Sequence, residues 1–253
     1  MLGLLGALST GYKGICDNFS RQIKLLSELG ATALGKDVPR IIGEFGVPMD
    51  MHEKASFRPP YDMKEQDLAM AANLYAMETN RISHCLWNYS PECTFEKGDT
   101  NGWNDEDLSI YAKETDASVY PEVGEMGKGG RALRGLLRPH CEILAGTALS
   151  ITLSDTVYTL SYVPSRHASE MARTTSIWVP ASGEWSFDHL TMTCQGALHR
   201  ISGDRLEIIA APSADSGETT VATSSASSSS CSCASASTAV EPRRIVVTLT
   251  RRA

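Results

Sequence analysis

Apolar positions in the first half of the chain alternate between helical spacing and short continuous runs. Phe19, Ile23, Leu26 and Leu29 share one face of a helix that Asp17 or its neighbour can cap. The pattern predicts helices over 17–30, 64–81 and 129–137 and strands over 41–45 and 85–89. This alternation of helix and strand is typical of a parallel α/β fold.

The second half changes character near residue 141. Short runs rich in Thr, Val, Ile, Tyr and Trp recur about every ten residues and are separated by Gly, Pro, Ser and Asp. These runs predict strands over 148–153, 157–163, 175–179, 190–194, 205–209 and 245–249. We therefore expect an antiparallel β-sandwich over 141–253, after an α/β domain over 1–140.

A segment at 213–240 consists mostly of Ser, Ala and Thr. Such a composition buries too little apolar surface to offset the entropy lost on ordering, so we expect a disordered loop. The apolar run that follows it, at 244–250, is expected to return to the sandwich.

The two strands of the first half are too few for a closed sheet. An isolated pair of parallel strands leaves an unpaired edge and an uncovered apolar face. The chain is therefore expected to be part of a larger fold or to need a partner that completes the sheet.

Composition excludes several classes of function. The net charge is −7 and the pI is about 5.4, which argues against a nucleic-acid partner because such a partner requires a concentrated basic surface. No apolar run is long enough to cross a membrane, and residues 1–8 lack the basic flank of a signal peptide. The seven cysteines have no disulfide or zinc spacing, which favours reduced thiols and an intracellular, cytoplasmic or membrane-peripheral location.

Glu44 is the first candidate for chemistry. It lies at the end of a run of residues with high β propensity, and a loop with Gly46 and Pro48 follows. Barrels of the (β/α) type place catalytic carboxylates at this end of a strand. The alternatives are a general base, a metal ligand and a solvated loop residue.

Trp87, Asn88 and Tyr89 end the second strand-like run. A pyranose ring presents an apolar C–H face, so an exposed tryptophan at this position can serve as the floor of a sugar site. The alternative is a tryptophan packed in the core.

The polar loop 97–110 carries further candidates: Asp99, Trp103, Asn104 and Glu106. Carboxylates and amides around an indole are typical of the rim of a sugar site. The alternatives are a solvated acidic loop in which Asp105 caps a turn, and a calcium site, for which the EF-hand spacing is absent.

Residues 129–139 carry three arginines but no phosphate-binding motif, so they are interpreted as a structural helix. His84 and His140 have no nucleophilic partner in the sequence and are interpreted as structural.

Four motifs in this order resemble the C-terminal half of glycoside hydrolase family 5, in its endoglycoceramidase-like branch of fungal glucosylceramidases and sterylglucosidases. They are PRIIGEFGVPMD at 39–50, LWNYSPEC at 86–93, GDTNGWNDEDLSIY at 98–111 and GGRALRGLLRP at 129–139. The resemblance covers about 15–140. The C-terminal β-sandwich of the family is matched more loosely, through SYVPS at 161–165 and SIWVPASGE at 176–184.

The resemblance implies the last βα units of an incomplete (β/α)₈ barrel, followed by the sandwich. Glu44 would be the nucleophile of a retaining β-glucosidase, and Trp87 with Asn88 would lie beneath the sugar. The four candidates of the polar loop, Asp99, Trp103, Asn104 and Glu106, would lie near the aglycone. The substrates would be glucosides of lipids such as ceramide or sterols, and no metal or organic cofactor is implied.

The family places its acid/base in an Asn-Glu-Pro motif, which this sequence does not contain. We therefore expect negligible hydrolysis by the chain alone. The competing hypothesis is a noncatalytic module that binds carbohydrate or a membrane surface, in which Trp178 and Trp185 would be exposed contacts rather than core residues.

Overall fold

The computed structural model describes residues 11–36, 38–99, 106–167, 169–211 and 244–252. These residues form an α/β part followed by an all-β part. No helix among them is long and apolar enough to span a bilayer. The predicted disordered loop at 213–240 and the candidates Trp103 and Asn104 lie outside the described residues.

The α/β part is built around two parallel strands. Its elements are α1 (Gly11–Leu34), β1 (Ile41–Phe45), α2 (Met51–Lys54), α3 (Lys64–Thr79), β2 (Ser83–Leu86) and α4 (Leu133–Leu136). In the register, Ile41 lies opposite Ser83 and Phe45 opposite Leu86. Strand β1 has the predicted bounds, whereas β2 ends one residue before Trp87, so the aromatic platform belongs to the following loop.

The predicted helix over 129–137 is wrong in length, because only Leu133–Leu136 is helical. Gly129 has φ of 83° and Ala132 has φ of 56°, and such left-handed residues interrupt a helix. The predicted cap of the first helix is also wrong. Asp17 lies inside α1, where its carboxylate accepts a hydrogen bond from Lys13 Nζ at 2.6 Å.

An apolar surface of α1 and β1 is left uncovered. Leu25, Leu26 and Leu29 are each more than half exposed on α1, and Ile41 is 60% exposed at the start of β1. Among the described strands, only β2 pairs with β1. The described residues thus show the uncovered face and open edge that the short parallel sheet led us to expect.

The all-β part consists of two antiparallel sheets of four strands each. Their orders are β4-β5-β10-β7 and β3-β6-β9-β8. The strands are β3 (His140–Ile143), β4 (Gly146–Leu153), β5 (Val157–Pro164), β6 (Thr174–Trp178), β7 (Leu190–Gln195), β8 (Leu198–Ser202), β9 (Arg205–Ile209) and β10 (Ile245–Arg251). One hydrophobic cluster takes side chains from both sheets, including Leu160, Ile177, Leu206 and Val247.

Six of these strands lie where the apolar runs predicted them, but β3 and β8 were missed. All five residues of β8 are exposed, and polar side chains such as His199 and Arg200 interrupt its pattern. The strand exists because it pairs with β9 in a hairpin that turns through Asp204 and Gly203, where φ is 62°. Strand β10 lies in the interior of its sheet, between β5 and β7.

Asp67 is a buried carboxyl on α3. Its Oδ1 accepts hydrogen bonds from the Tyr120 hydroxyl at 3.2 Å and from the backbone N–H of Arg134 at 3.0 Å. Burial raises the pKa of Asp67 from 3.8 to about 6, because desolvation outweighs the neighbouring Arg134 guanidinium.

We expect Asp67→Asn to flatten the dependence of stability on pH. Because the folded pKa lies above the unfolded one, the contribution of Asp67 is fully present below pH 4 and is lost as pH rises through 6. The loss amounts to on the order of 3 kcal/mol. Urea unfolding between pH 4 and 7 measures it, with the exposed Asp17→Asn as control. An unchanged pH slope in Asp67→Asn would contradict this assignment.

Candidate functional site

Glu44 and Trp87 lie at the carboxyl ends of the two parallel strands, on the same side of the sheet's end. The backbone N–H of Trp87 donates to the carbonyl of Phe45 at 2.7 Å, so the two strand ends are joined directly. The Glu44 side chain is exposed, and it has no hydrogen bond or ion pair with another described residue. Because this carboxylate has no partner among the described residues, it is available to a ligand at this end of the sheet.

Gly46 permits the close approach of these two segments. A Cβ at this position would collide with the carbonyl oxygen of Trp87 and would also touch Leu108. By contrast, a Cβ at Gly43 would meet open space. Of the two glycines that flank Glu44, only Gly46 is therefore required by packing.

Trp87 is 40% exposed, and Tyr89 is 64% exposed. The Tyr89 ring lies against Tyr111, with ring centroids 5.6 Å apart. The peptide bond between Trp87 and Asn88 is cis. The indole is thus neither a core residue nor fully solvated, and its backbone is bonded to Phe45, the last residue of β1 and the neighbour of Glu44.

Asn88 is anchored on both its backbone and its side chain. Its N–H donates to Leu108 O at 3.3 Å, and its carbonyl accepts from Ile110 N at 2.9 Å. Its Nδ2 donates to Asp99 Oδ2 at 3.2 Å. These bonds fix the residue that follows Trp87.

The two described candidates of the polar loop differ in exposure. Asp99 is buried, at 3% exposure, and its Oδ2 also accepts from Leu108 N at 3.5 Å. Glu106 is exposed. Asp99 therefore contributes by holding Asn88 and the loop, while Glu106 remains open to a ligand.

Sequence reasoning missed a buried ion pair that a carboxylate of this loop makes with Arg131. Arg131 Nη1 and Nη2 donate to the two carboxylate oxygens of Asp107 at 2.8 and 2.6 Å. Nη2 also donates to Cys93 Sγ at 3.2 Å, and burial raises the pKa of the Cys93 thiol to about 11. A single sequence offers no signal that pairs residues 24 positions apart, and the acidic residues of this loop were interpreted as the rim of a sugar site or, alternatively, as a solvated loop.

The other arginines of 129–139 also make structural pairs. Arg138 binds Glu78 through two hydrogen bonds of 2.8 and 2.9 Å, and Arg134 binds Glu122 and Asp67. His84 packs edge-on against Phe45, with ring centroids 5.3 Å apart. The structural interpretation of these arginines and of His84 agrees with these contacts.

Across the described ranges, no cluster of three or more His, Cys, Asp or Glu could hold a metal ion. A cavity of about 720 Å³ lies elsewhere, between α1, α3 and the all-β part, and its walls include Tyr12, Tyr75 and Trp185. Of the described candidates for the sugar site, namely Glu44, Trp87, Asn88, Asp99 and Glu106, none lines it.

Sequence relatives of this chain are fungal glucosidases of lipids. A glucosylceramidase of Rhizopus delemar is 37% identical over 182 residues, which make up 67% of this chain and 26% of the relative. A glucosylceramidase of Cryptococcus neoformans is 30% identical over 212 residues, or 78% of this chain and 27% of the relative. The chain thus spans about a quarter of the length of these curated relatives. No protein-family model matches it.

A solved structure shows the same fold. The sterylglucosidase 1 of Cryptococcus neoformans matches 99% of this chain with a TM-score of 0.75 and 21% identity, and the chain covers 33% of that structure. The chain therefore has the fold of the part of that structure which it matches, and its parallel βα units are consistent with a partial (β/α)₈ barrel. The resemblance indicated by the motifs is confirmed, because about two thirds or more of the chain aligns with fungal glucosylceramidases.

Proposed function

We propose that this chain is the nucleophile-bearing part of a retaining β-glucosidase that acts on glucosylated lipids. The observation that carries the proposal is the placement of Glu44 and Trp87. An exposed carboxylate and a half-exposed indole lie at the ends of two hydrogen-bonded parallel strands, in a chain whose relatives are glucosylceramidases.

In the proposed reaction, Glu44 attacks the anomeric carbon of the glucoside. The bond from this carbon to the aglycone oxygen breaks, and a second carboxyl group, about 5 Å away, protonates the leaving oxygen. Water then hydrolyses the glucosyl ester with inversion at the same carbon, so the configuration is retained overall. The two carboxyl groups carry both steps, without a metal or an organic cofactor.

The second carboxyl group must come from outside this sequence, which has no Asn-Glu-Pro motif. The uncovered apolar surface of α1 and β1 supports this division. Residues 1–140 would then be the last βα units of a (β/α)₈ barrel, and the preceding units would cover β1 and deliver the acid/base.

Trp87 would be the floor of the glucose subsite, with Asn88 fixing its position. Trp103, Asn104 and Glu106 would form the rim on the aglycone side, while the buried Asp99 would hold Asn88 in place. Residues 141–253 would be a β-sandwich domain that supports the barrel. A ceramide or sterol aglycone would enter along this rim from a membrane surface.

The noncatalytic alternative receives little support from the tryptophans of the all-β part. Trp185 is buried in the hydrophobic cluster. Trp178 is partly buried, and its Nε1 donates to Asp204 Oδ2 at 2.8 Å. Neither indole is free to serve as the principal contact with a sugar or a bilayer.

A chimaera tests the proposed function. The segment of the Rhizopus delemar glucosylceramidase that aligns with this chain is replaced by this chain, and hydrolysis of glucosylceramide and of an aryl β-glucoside is measured. We expect the chimaera to release β-glucose first, as seen by NMR of the anomeric proton, and the isolated chain to show no turnover. A folded chimaera without hydrolysis, or one that releases α-glucose first, would contradict the proposal.

A further inference from the structure

The pair formed by Arg131 and Asp107 is the most deeply buried ion pair among the described residues. Both side chains are at most 3% exposed, and both guanidinium nitrogens of the fork bind the carboxylate. The guanidinium also lies over the Phe57 ring, 5.5 Å from its centroid. A two-point contact of this kind fixes the plane of both groups, which a single contact would not.

The pair is tied to the loop that follows Glu44. The carbonyl of Asp107 accepts a hydrogen bond from the backbone N–H of Met49 at 2.7 Å. Met49 is completely buried and lies five residues after Glu44. The position of the Asp107 side chain thus constrains the segment through which β1 leaves the sheet.

The pair is also tied to the loop that carries Trp87. The backbone N–H of Arg131 donates to the carbonyl of Ile110 at 2.8 Å, and Ile110 N donates to the carbonyl of Asn88 at 2.9 Å. Asn88 in turn donates its N–H to Leu108, the neighbour of Asp107. Two short routes, through residues 108 and 110, therefore connect the pair with the residue next to Trp87.

We infer that Arg131 is a positioning residue that sets the orientation of the Trp87 indole relative to Glu44. The inference rests on the proposed function in one respect only, namely that the oriented indole serves as the floor of a glucose subsite. Arg131 itself is buried and acts through Asp107 and the 107–110 segment. A buried ion pair gains little net stability over a well-packed apolar pair. We therefore assign to this pair the role of fixing the geometry of the neighbouring loop rather than of stabilising the fold.

The test observes Trp87 directly by ¹⁹F NMR of the full chain labelled with 5-fluorotryptophan. The chain has four tryptophans, and single Trp→Phe variants assign their resonances. Arg131→Lys keeps the positive charge but removes the two-point contact of the guanidinium. Asp107→Asn keeps the volume of the side chain and the backbone bond to Met49. We expect the Trp87 resonance to shift by more than its line width, or to split, in both variants.

Arg138→Lys is the matched control. Arg138 makes the same two-point contact with Glu78, but it lies by the start of β2, in the wall of a cavity shared with Ser83, at the opposite end from Trp87. We expect this variant to leave the Trp87 resonance unchanged, and the Trp178 and Trp185 resonances to stay in place in Arg131→Lys and Asp107→Asn.

The outcomes separate positioning from general stability. A Trp87 resonance that does not move in whichever of the two variants folds would overturn the inference. Equal changes at Trp87, Trp178 and Trp185 would also overturn it, since they would show a loss of structure throughout the chain. Because the readout needs no turnover, the inference can fail while the proposed glucosidase activity stands, and the reverse also holds.

Discussion

Replacing Glu44 by glutamine is expected to lower the hydrolysis of glucosylceramide by the chimaera on the order of 10⁴-fold or more, as is typical for the loss of a catalytic nucleophile. Glutamine has the shape of glutamate but no anionic oxygen to attack the anomeric carbon. Because the Glu44 side chain is exposed and has no hydrogen bond or ion pair with another described residue, we expect its replacement to leave the strand pairing intact. Circular dichroism and kcat measured together test this expectation.

Glu65→Gln is the control for the loss of one exposed carboxylate from the same part of the fold. Glu65 lies on α3, and its partner is His52, outside the site. We expect unchanged kcat in this variant. A Glu44→Gln chimaera that retains more than a tenth of the parent kcat would remove Glu44 from the mechanism.

Chemical rescue distinguishes a nucleophile from an acid/base. In Glu44→Gly, azide can enter the vacated space and attack the anomeric carbon of a dinitrophenyl β-glucoside, whose phenolate leaves without a proton. The product expected for a missing nucleophile is the α-glucosyl azide. A β-glucosyl azide would assign Glu44 to the acid/base role instead.

Replacing Arg131 by methionine is expected to lower the free energy of unfolding by about 3–5 kcal/mol. The substitution leaves the Asp107 carboxylate buried and without its guanidinium, and an uncompensated buried charge is among the most costly single changes. Urea unfolding of the chain at neutral pH measures the loss.

Two further variants make this expectation specific. Arg200→Met removes an arginine whose side chain is 58% exposed and which pairs with Glu207, and it is expected to cost only about 0–1 kcal/mol. The double substitution Arg131→Met with Asp107→Leu is expected to recover most of the loss, because no buried charge remains. A loss below about 1 kcal/mol in Arg131→Met alone would contradict the assigned burial and pairing.

The sequence was sufficient to place Glu44 at the end of a strand. The run of apolar residues before it has β propensity, and the glycine and proline after it end the strand, so the signal is local. The same holds for most strands of the all-β part, where apolar runs alternate with turn residues. The structure agrees in these segments because local preference and tertiary packing coincide.

The elements that sequence reasoning missed depend on contacts between distant residues. Strand β8 has exposed polar residues and is stabilised by its pairing with β9. The helix expected over 129–137 is shortened by the left-handed residues Gly129 and Ala132, and between them Arg131 pairs with the distant Asp107. The role of Asp107 within an acidic loop could not be seen without its partner.

Identification of the covalent glucosyl-enzyme tests the central claim most directly. The chimaera is incubated with a 2-deoxy-2-fluoro-β-glucosyl fluoride, in which the electronegative substituent slows hydrolysis of the intermediate, and is then digested and analysed by mass spectrometry. We predict that the fluoroglucosyl group is attached to Glu44 and that Glu44→Gln is unlabelled. An active chimaera that carries the label on a different residue would contradict the assignment of Glu44 as the nucleophile.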